Sequence, residues 1–110
     1  ALIAQTGVGK DQALARQMMV LTPGLYRLSV EARLESMGGG GMEWAVSCPD
    51  GPKGWIGRLT VPDSGDWAPA STTFAVPAGC DIQRLELRGV GKGAAFARGA
   101  FDNVSIKLAG

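Results

Sequence analysis

Any covalent chemistry in this chain would rest on few side chains. Its 110 residues include no histidine, two cysteines and ten Asp or Glu. Without histidine there is no Ser-His or Cys-His nucleophile pair and no His-based zinc site. Two cysteines alone cannot build a zinc knuckle. No Gly-x-Ser-x-Gly elbow occurs. Glycoside hydrolysis needs two carboxylates facing each other across a cleft, and here the acids fall in turns and on the polar sides of alternating runs. Glu31 and Glu43 could meet on neighbouring strands, but they read better as ion-paired to Arg27 or Arg33 across a sheet. Gly7-Val8-Gly9-Lys10-Asp11 fails as a phosphate loop, because Ala4 takes the place of its first glycine and Asp11 that of its Ser or Thr. Gly89-Val90-Gly91-Lys92-Gly93 fails the dinucleotide pattern at Ala94. The expectation is a protein that is not an enzyme.

Binding chemistry remains. A pyranose ring offers an apolar face to an aromatic plane, and its hydroxyls take hydrogen bonds from charged or amide groups. Elimination picks the aromatic. Tyr26, Trp44 and Phe74 belong by alternation to a core, and Phe101 abuts the closing strand. Trp67 follows Asp63-Ser64-Gly65-Asp66 and could cap one end of the fold. Trp55 follows a Pro/Gly-rich turn, with Gly57 two places on. Trp55 is therefore the expected stacking platform, with Arg58, Lys53 or Asp63 as hydroxyl partners and Trp67 as the second aromatic. The competing reading for each tryptophan is core packing. The outward strand positions carry Arg, Glu, Ser and Lys and no aromatic, so no aromatic-lined sheet face is expected.

These groups need elements to hold them. The central stretch is Gln17 to Glu35, two extended runs hinged on Pro23-Gly24, a pair suited to a type II turn. After the hinge Tyr26, Leu28, Val30, Ala32 and Leu34 alternate strictly with Arg27, Ser29, Glu31 and Arg33. That is a strand with one face on a core and one in water. Further strands are expected over Ala1–Thr6, Ala13–Val20, Met42–Cys48, Trp55–Val61, Trp67–Val76, Ile82–Arg88 and Phe101–Leu108. A short helix over Asp11–Met19 is the alternative for the second. Leu14, Met18 and Val20 share one parity there, and Val104, Ile106 and Leu108 are expected to be buried at the end. Residues 36–41, which include four consecutive glycines, read as a mobile loop. Seventeen Gly and six Pro suit short strands and tight turns. The plan is one all-β domain over residues 1–110, a two-sheet antiparallel β-sandwich.

Cys48 ends an alternating run through Met42, Trp44 and Val46. Cys80 opens another, after Pro77-Ala78-Gly79. Two thiols at strand ends allow one disulfide, which implies an oxidising compartment. The alternative is two buried reduced thiols in a cytosolic protein.

Gln17 to Ser29 resembles the middle of carbohydrate-binding-module, galactose-binding-like jelly-roll domains. Ala100-Phe101-Asp102-Asn103-Val104-Ser105-Ile106 resembles their last strand. Trp44-Ala45-Val46-Ser47-Cys48-Pro49 with Phe74-Ala75-Val76-Pro77-Ala78-Gly79-Cys80 is similar to C-terminal domains of bacterial tetratricopeptide-repeat proteins linked with exopolysaccharide production. The resemblance implies a jelly roll and a non-catalytic carbohydrate-binding module of a secreted bacterial protein, extracellular or periplasmic. Its partners would be a polysaccharide or oligosaccharide and other domains of a larger parent protein. The alternative is a spacer or protein-contact jelly roll that binds no sugar. Compared with that family the chain is expected to lack the first strands, and its start at Ala1 fits an excised or processed domain. Such domains often carry a structural calcium, to which Asp102 would contribute. The family's N-terminal acidic ligands are absent, and the competing reading has Asp102 and Asn103 bonded to a turn backbone. No other cofactor is implied. Asn103-Val104-Ser105 matches a glycosylation acceptor but lies within a strand. Interspersed charges and a formal net charge of +1 argue against a nucleic-acid or anionic-membrane surface. No apolar run approaches the roughly 18 residues of a membrane span.

Overall fold

The alternating run after Pro23 forms the longest strand. The computed structural model describes residues 2–5, 12–37, 41–51, 53–62, 65–90 and 96–109. In these, eight strands follow one another: β1 (Leu2–Gln5), β2 (Gln12–Met19), β3 (Gly24–Met37), β4 (Gly41–Ser47), β5 (Trp55–Thr60), β6 (Ala68–Val76), β7 (Gln83–Val90) and β8 (Phe96–Leu108). No helix occurs among the described residues. One sheet has the order β1-β8-β3-β6 and the other β2-β7-β4-β5. Every pairing is antiparallel. The chain is an all-β, two-sheet antiparallel sandwich.

The pairings are nested: β1 with β8, β2 with β7, β3 with β6 and β4 with β5. The chain is thus one long folded hairpin whose arms alternate between the two sheets. Ladders β3–β8 and β4–β7 join the nested pairs within each sheet.

The core follows from the alternation. Leu28, Val30, Ala32 and Leu34 of β3 face Met42, Trp44 and Val46 of β4 and Leu85 and Leu87 of β7, all buried. Burial of each larger side chain is worth about 1.5–3 kcal/mol relative to exposure. Tyr26 stacks on Phe74 with ring centroids 5.9 Å apart. Trp44 meets Phe101 edge-on at 5.5 Å. The sheets close on each other where β5 passes β6. There Gly57 lies so near Phe74 that an added Cβ would sit 2.7 Å from the Phe74 Cβ. Only a residue without a side chain permits that approach.

Several local expectations are corrected. The Pro23-Gly24 pair does not make a type II turn. Gly24 has φ 159° and already pairs with Val76 as the first residue of β3. The segment 20–23 instead carries the chain from one sheet to the other. Residues 12–19 are strand, not helix, but a register shift between Ala13 and Ala15 changes the parity. Ala15 and Met19 pack on the core, while Met18 and Val20 are 52% and 82% exposed. The expected loop after Glu35 is shorter, because Ser36 and Met37 extend β3 and Gly41 begins β4. Residues 38–40 lie outside the described residues.

The last strand starts at Phe96 rather than Phe101. A bulge interrupts it where Ser29 faces Ser105 but Glu31 faces Asp102. Asn103 takes the extra place with φ 52°, a left-handed conformation that asparagine tolerates better than most residues. The shift lets Phe101 and Ile106, of opposite parity, both turn inward. Val104 is 39% exposed beside Trp44 and Leu85 at the open margin between the sheets, and Leu108 at the strand end is 70% exposed, so neither is core.

Candidate functional site

The outer face of the β2-β7-β4-β5 sheet gathers most of the residue types that binding would need. Its cross-strand rows follow from the register. Thr60, Glu43 and Arg88 form one row. Arg58, Ala45, Glu86 and Arg16 form the next, and Trp55, Ser47, Arg84 and Met18 the third. Trp55 reaches this face through a bulge: Val46 pairs with Gly57, but Ser47 pairs with Trp55, leaving Ile56 as the extra residue. Simple alternation groups Trp55 with the buried Leu59 and Val61. The bulge breaks that grouping, so Trp55 and Arg58 share the outer face.

Two carboxylates sit low in the face. Glu43 and Glu86 are 6% and 3% exposed. Arg58 donates to Glu43 from Nη2 to Oε1 at 2.9 Å and to Oε2 at 2.8 Å, and from Nε to Oε2 at 3.1 Å. Arg88 donates from Nη1 to Glu86 Oε2 at 3.0 Å and approaches Glu43 Oε1 at 3.8 Å, so it bridges both acids. Arg16 and Arg84 flank Glu86 Oε1 at 3.5 and 3.6 Å. The guanidinium carbon of Arg88 lies 4.9 Å from the Trp55 ring centroid, within cation–π range. The Arg88 side chain is 22% exposed and Trp55 37%. Arg88 thus occupies one face of the indole. Ala45, an outward-facing residue between Arg58 and Glu86, is fully covered.

This arrangement corrects two expectations. An aromatic does lie on an outward sheet face. Two acids are buried on adjacent strands, but Glu43 pairs with Arg58 and Arg88 rather than with Arg27 or Arg33. Glu31 is on the other sheet, where its Oε2 accepts a hydrogen bond from Asn103 Nδ2 at 3.0 Å. Each buried acid is engaged by at least two arginines, which makes a fixed ion-pair lattice.

The structure brings together some of the expected site residues and not others. Trp55 and Arg58 share the face, and Lys53 is exposed in the turn just before Trp55. Trp67 is 45% exposed but stands beyond the other end of β5, leading into β6, with its backbone N–H donating to Asp66 Oδ1 at 2.9 Å. Asp63 lies outside the described residues. Trp44 is core, as expected, at 5% exposure, and its indole N–H finds no partner among the described residues. Asp102 is exposed and its Oδ1 accepts from the Asn103 N–H at 2.9 Å, a bond within β8 rather than to a turn backbone. No group of three or more His, Cys, Asp or Glu close enough to hold a metal ion occurs among the described residues.

The Cys48–Cys80 disulfide is formed, with Cα atoms 5.5 Å apart. It joins two tight turns. Gly51 N–H donates to Cys48 O at 3.2 Å, and Cys80 N–H to Pro77 O at 3.3 Å. Gly79 supplies the φ of +87° that the second turn needs at its third position. The turns touch: a Cβ on Gly51 would come within 2.9 Å of Gly79 O. Beside them lies Gln83, a fully buried polar residue that sequence reasoning missed. Its inward parity with Leu85 and Leu87 was the available signal.

Hollows elsewhere are less suited to a sugar ring. One of about 450 Å³ on the outer face of the other sheet is lined by Arg27, Ser29, Glu31, Ser71 and Asn103 among others, with no aromatic. Another of about 180 Å³ opens between β2 and β8 beside Trp44 and Leu85. No helix is long and apolar enough to cross a membrane among the described residues. No protein-family model matches the chain, and no curated protein matches its sequence.

Proposed function

We propose that the chain is a non-catalytic carbohydrate-binding module that takes a polysaccharide or oligosaccharide on the outer face of the β2-β7-β4-β5 sheet. The observation that carries this reading is Trp55, an indole 37% exposed, with Arg88 against one face and Arg58 in the next row. The solvent side of such a ring is a platform for a pyranose, and the guanidinium N–H groups are donors to its hydroxyls. The strand order, with four nested pairs shared between two sheets, supports a jelly roll. The Cys48–Cys80 bond supports an extracellular or periplasmic, secreted setting in a bacterial parent protein linked with exopolysaccharide. A structural calcium would be held through Asp102, and equilibrium dialysis against calcium tests it.

A second reading has one observation in its favour. Arg58, Arg88, Glu43 and Glu86 already engage one another, as a spacer or protein-contact domain would need for stability alone. Replacing Trp55 by Ala separates the two. The expected result is loss of binding on a glycan array with little change in melting temperature, since an exposed cation–π contact is worth about 0.5–1 kcal/mol. One stacked sugar should bind with Kd of about 1 mM, equivalent to about 4 kcal/mol. A wild-type domain that captures no glycan leaves the spacer reading. A W55A domain that unfolds places Trp55 in the core and ends this site assignment.

A further inference from the structure

We infer that the glycan taken by this face is anionic, its sugars carrying carboxylate or sulfate groups; this rests on the carbohydrate-binding reading above. The charges on the face are layered by depth. The acid side chains of Glu43 and Glu86 are 8% and 4% exposed, whereas those of Arg16, Arg58 and Arg84 are 64%, 56% and 37% exposed. Negative charge lies beneath and positive charge above, so an arriving ligand meets guanidinium first. The four arginines outnumber the two glutamates by two charges, on a chain whose formal net charge is only +1. In the adjoining turn Lys53 and Asp50, both exposed, offset each other.

The arginines are also pre-oriented. Each guanidinium has five N–H donors in a planar fork. Arg16 and Arg84 each direct one nitrogen at Glu86, at 3.5 and 3.6 Å, and the rest of each fork has no other partner among the described residues. Carboxylate and sulfate oxygens match that fork, whereas a neutral hydroxyl takes a single weaker bond. Trp55 lies in the same row as Arg84, with Ser47 between them. A sugar stacked on the indole would therefore place a charged substituent toward the guanidinium groups.

The test uses the folded, oxidised domain and matched pairs of polymers in affinity electrophoresis and calorimetry. Polygalacturonate is set against its fully methyl-esterified form, and dextran sulfate against dextran. At least one anionic polymer is expected to bind about tenfold more tightly than its neutral counterpart, a factor equivalent to about 1.4 kcal/mol. The preference should shrink as ionic strength rises. It should also fall in Arg16→Gln and Arg84→Gln variants, whose circular dichroism and melting temperature confirm the fold. Equal binding within both pairs overturns the anionic inference and leaves the carbohydrate reading standing. Capture of polyglutamate as strong as that of the anionic glycans also overturns it, as charge attraction without sugar recognition. Failure to bind any of the glycans overturns both.

Discussion

Replacing Gln83 by Leu is expected to lower the unfolding free energy by about 2–4 kcal/mol, measured by urea denaturation. Gln83 opens β7 and is fully buried. Its Oε1 accepts from the Leu21 N–H at 2.7 Å. Its Nε2 donates to Cys80 O at 2.6 Å and to Leu21 O at 3.2 Å. One side chain thus ties the segment that crosses between the sheets to the turn that carries the disulfide. Leucine has similar bulk and keeps the packing, but it leaves three backbone groups without this partner. Each buried polar group left unsatisfied costs about 1–3 kcal/mol, and Leu21 is only partly buried, which lets water offset part of the loss. Gln83→Glu keeps an acceptor for Leu21 but has no amide N–H for Cys80 O, and it should also destabilise. A loss below about 0.5 kcal/mol in Gln83→Leu would show that the clamp contributes nothing.

Removing the disulfide is expected to be the other large loss. Cys48 and Cys80 are 32 residues apart in sequence. Chain-entropy arithmetic for a loop of that size gives about 3–4 kcal/mol, set against a typical domain stability of roughly 5–15 kcal/mol. The paired substitution Cys48→Ala with Cys80→Ala, or reduction under mild denaturant, should lower the denaturation midpoint accordingly. Thiol titration of the unfolded, unreduced chain should find no free thiol. The two turns it joins are already in contact through Gly51 and Gly79, so the reduced protein should keep its fold in the absence of denaturant. Unfolding on reduction alone would mean that the packing is weaker than the buried core implies.

What could be read from the sequence follows how far each pattern reaches. The alternation from Tyr26 to Leu34 reports a local fact, one face wet and one dry, and the strand matches it residue by residue. The same holds for Phe74 and Val76, Leu85 and Leu87, and the inward run from Met42 to Cys48. Parity fails at bulges. One extra residue at Ile56, near Leu14 or at Asn103 reverses every assignment beyond it, and the residue types there do not announce it. That is why alternation alone turns Met18 inward and groups Trp55 with Leu59, whereas Val104 is exposed for another reason, its place at the open margin between the sheets. The Glu43 and Glu86 lattice was hidden for a different reason. It depends on β7 lying between β2 and β4, a long-range pairing that no local window contains.

The nested pairing also governs how the chain can reach this state. Only in the β4–β5 pair are the two partners consecutive in the chain. The partners of β3, β2 and β1 lie progressively further along the chain, until Leu2 must find Phe101. Loop-closure entropy has to be overcome before each of those pairs gives anything back, so folding dominated by such contacts runs in milliseconds to seconds rather than microseconds. The cheapest route starts at the β4–β5 turn and closes outward, with the β1–β8 pair last. The Cys48–Cys80 bond shortens the longer loops while the chain is still open. Stopped-flow refolding of the oxidised chain should accordingly outpace that of the reduced one, which makes the cross-link a kinetic guide as well as an anchor.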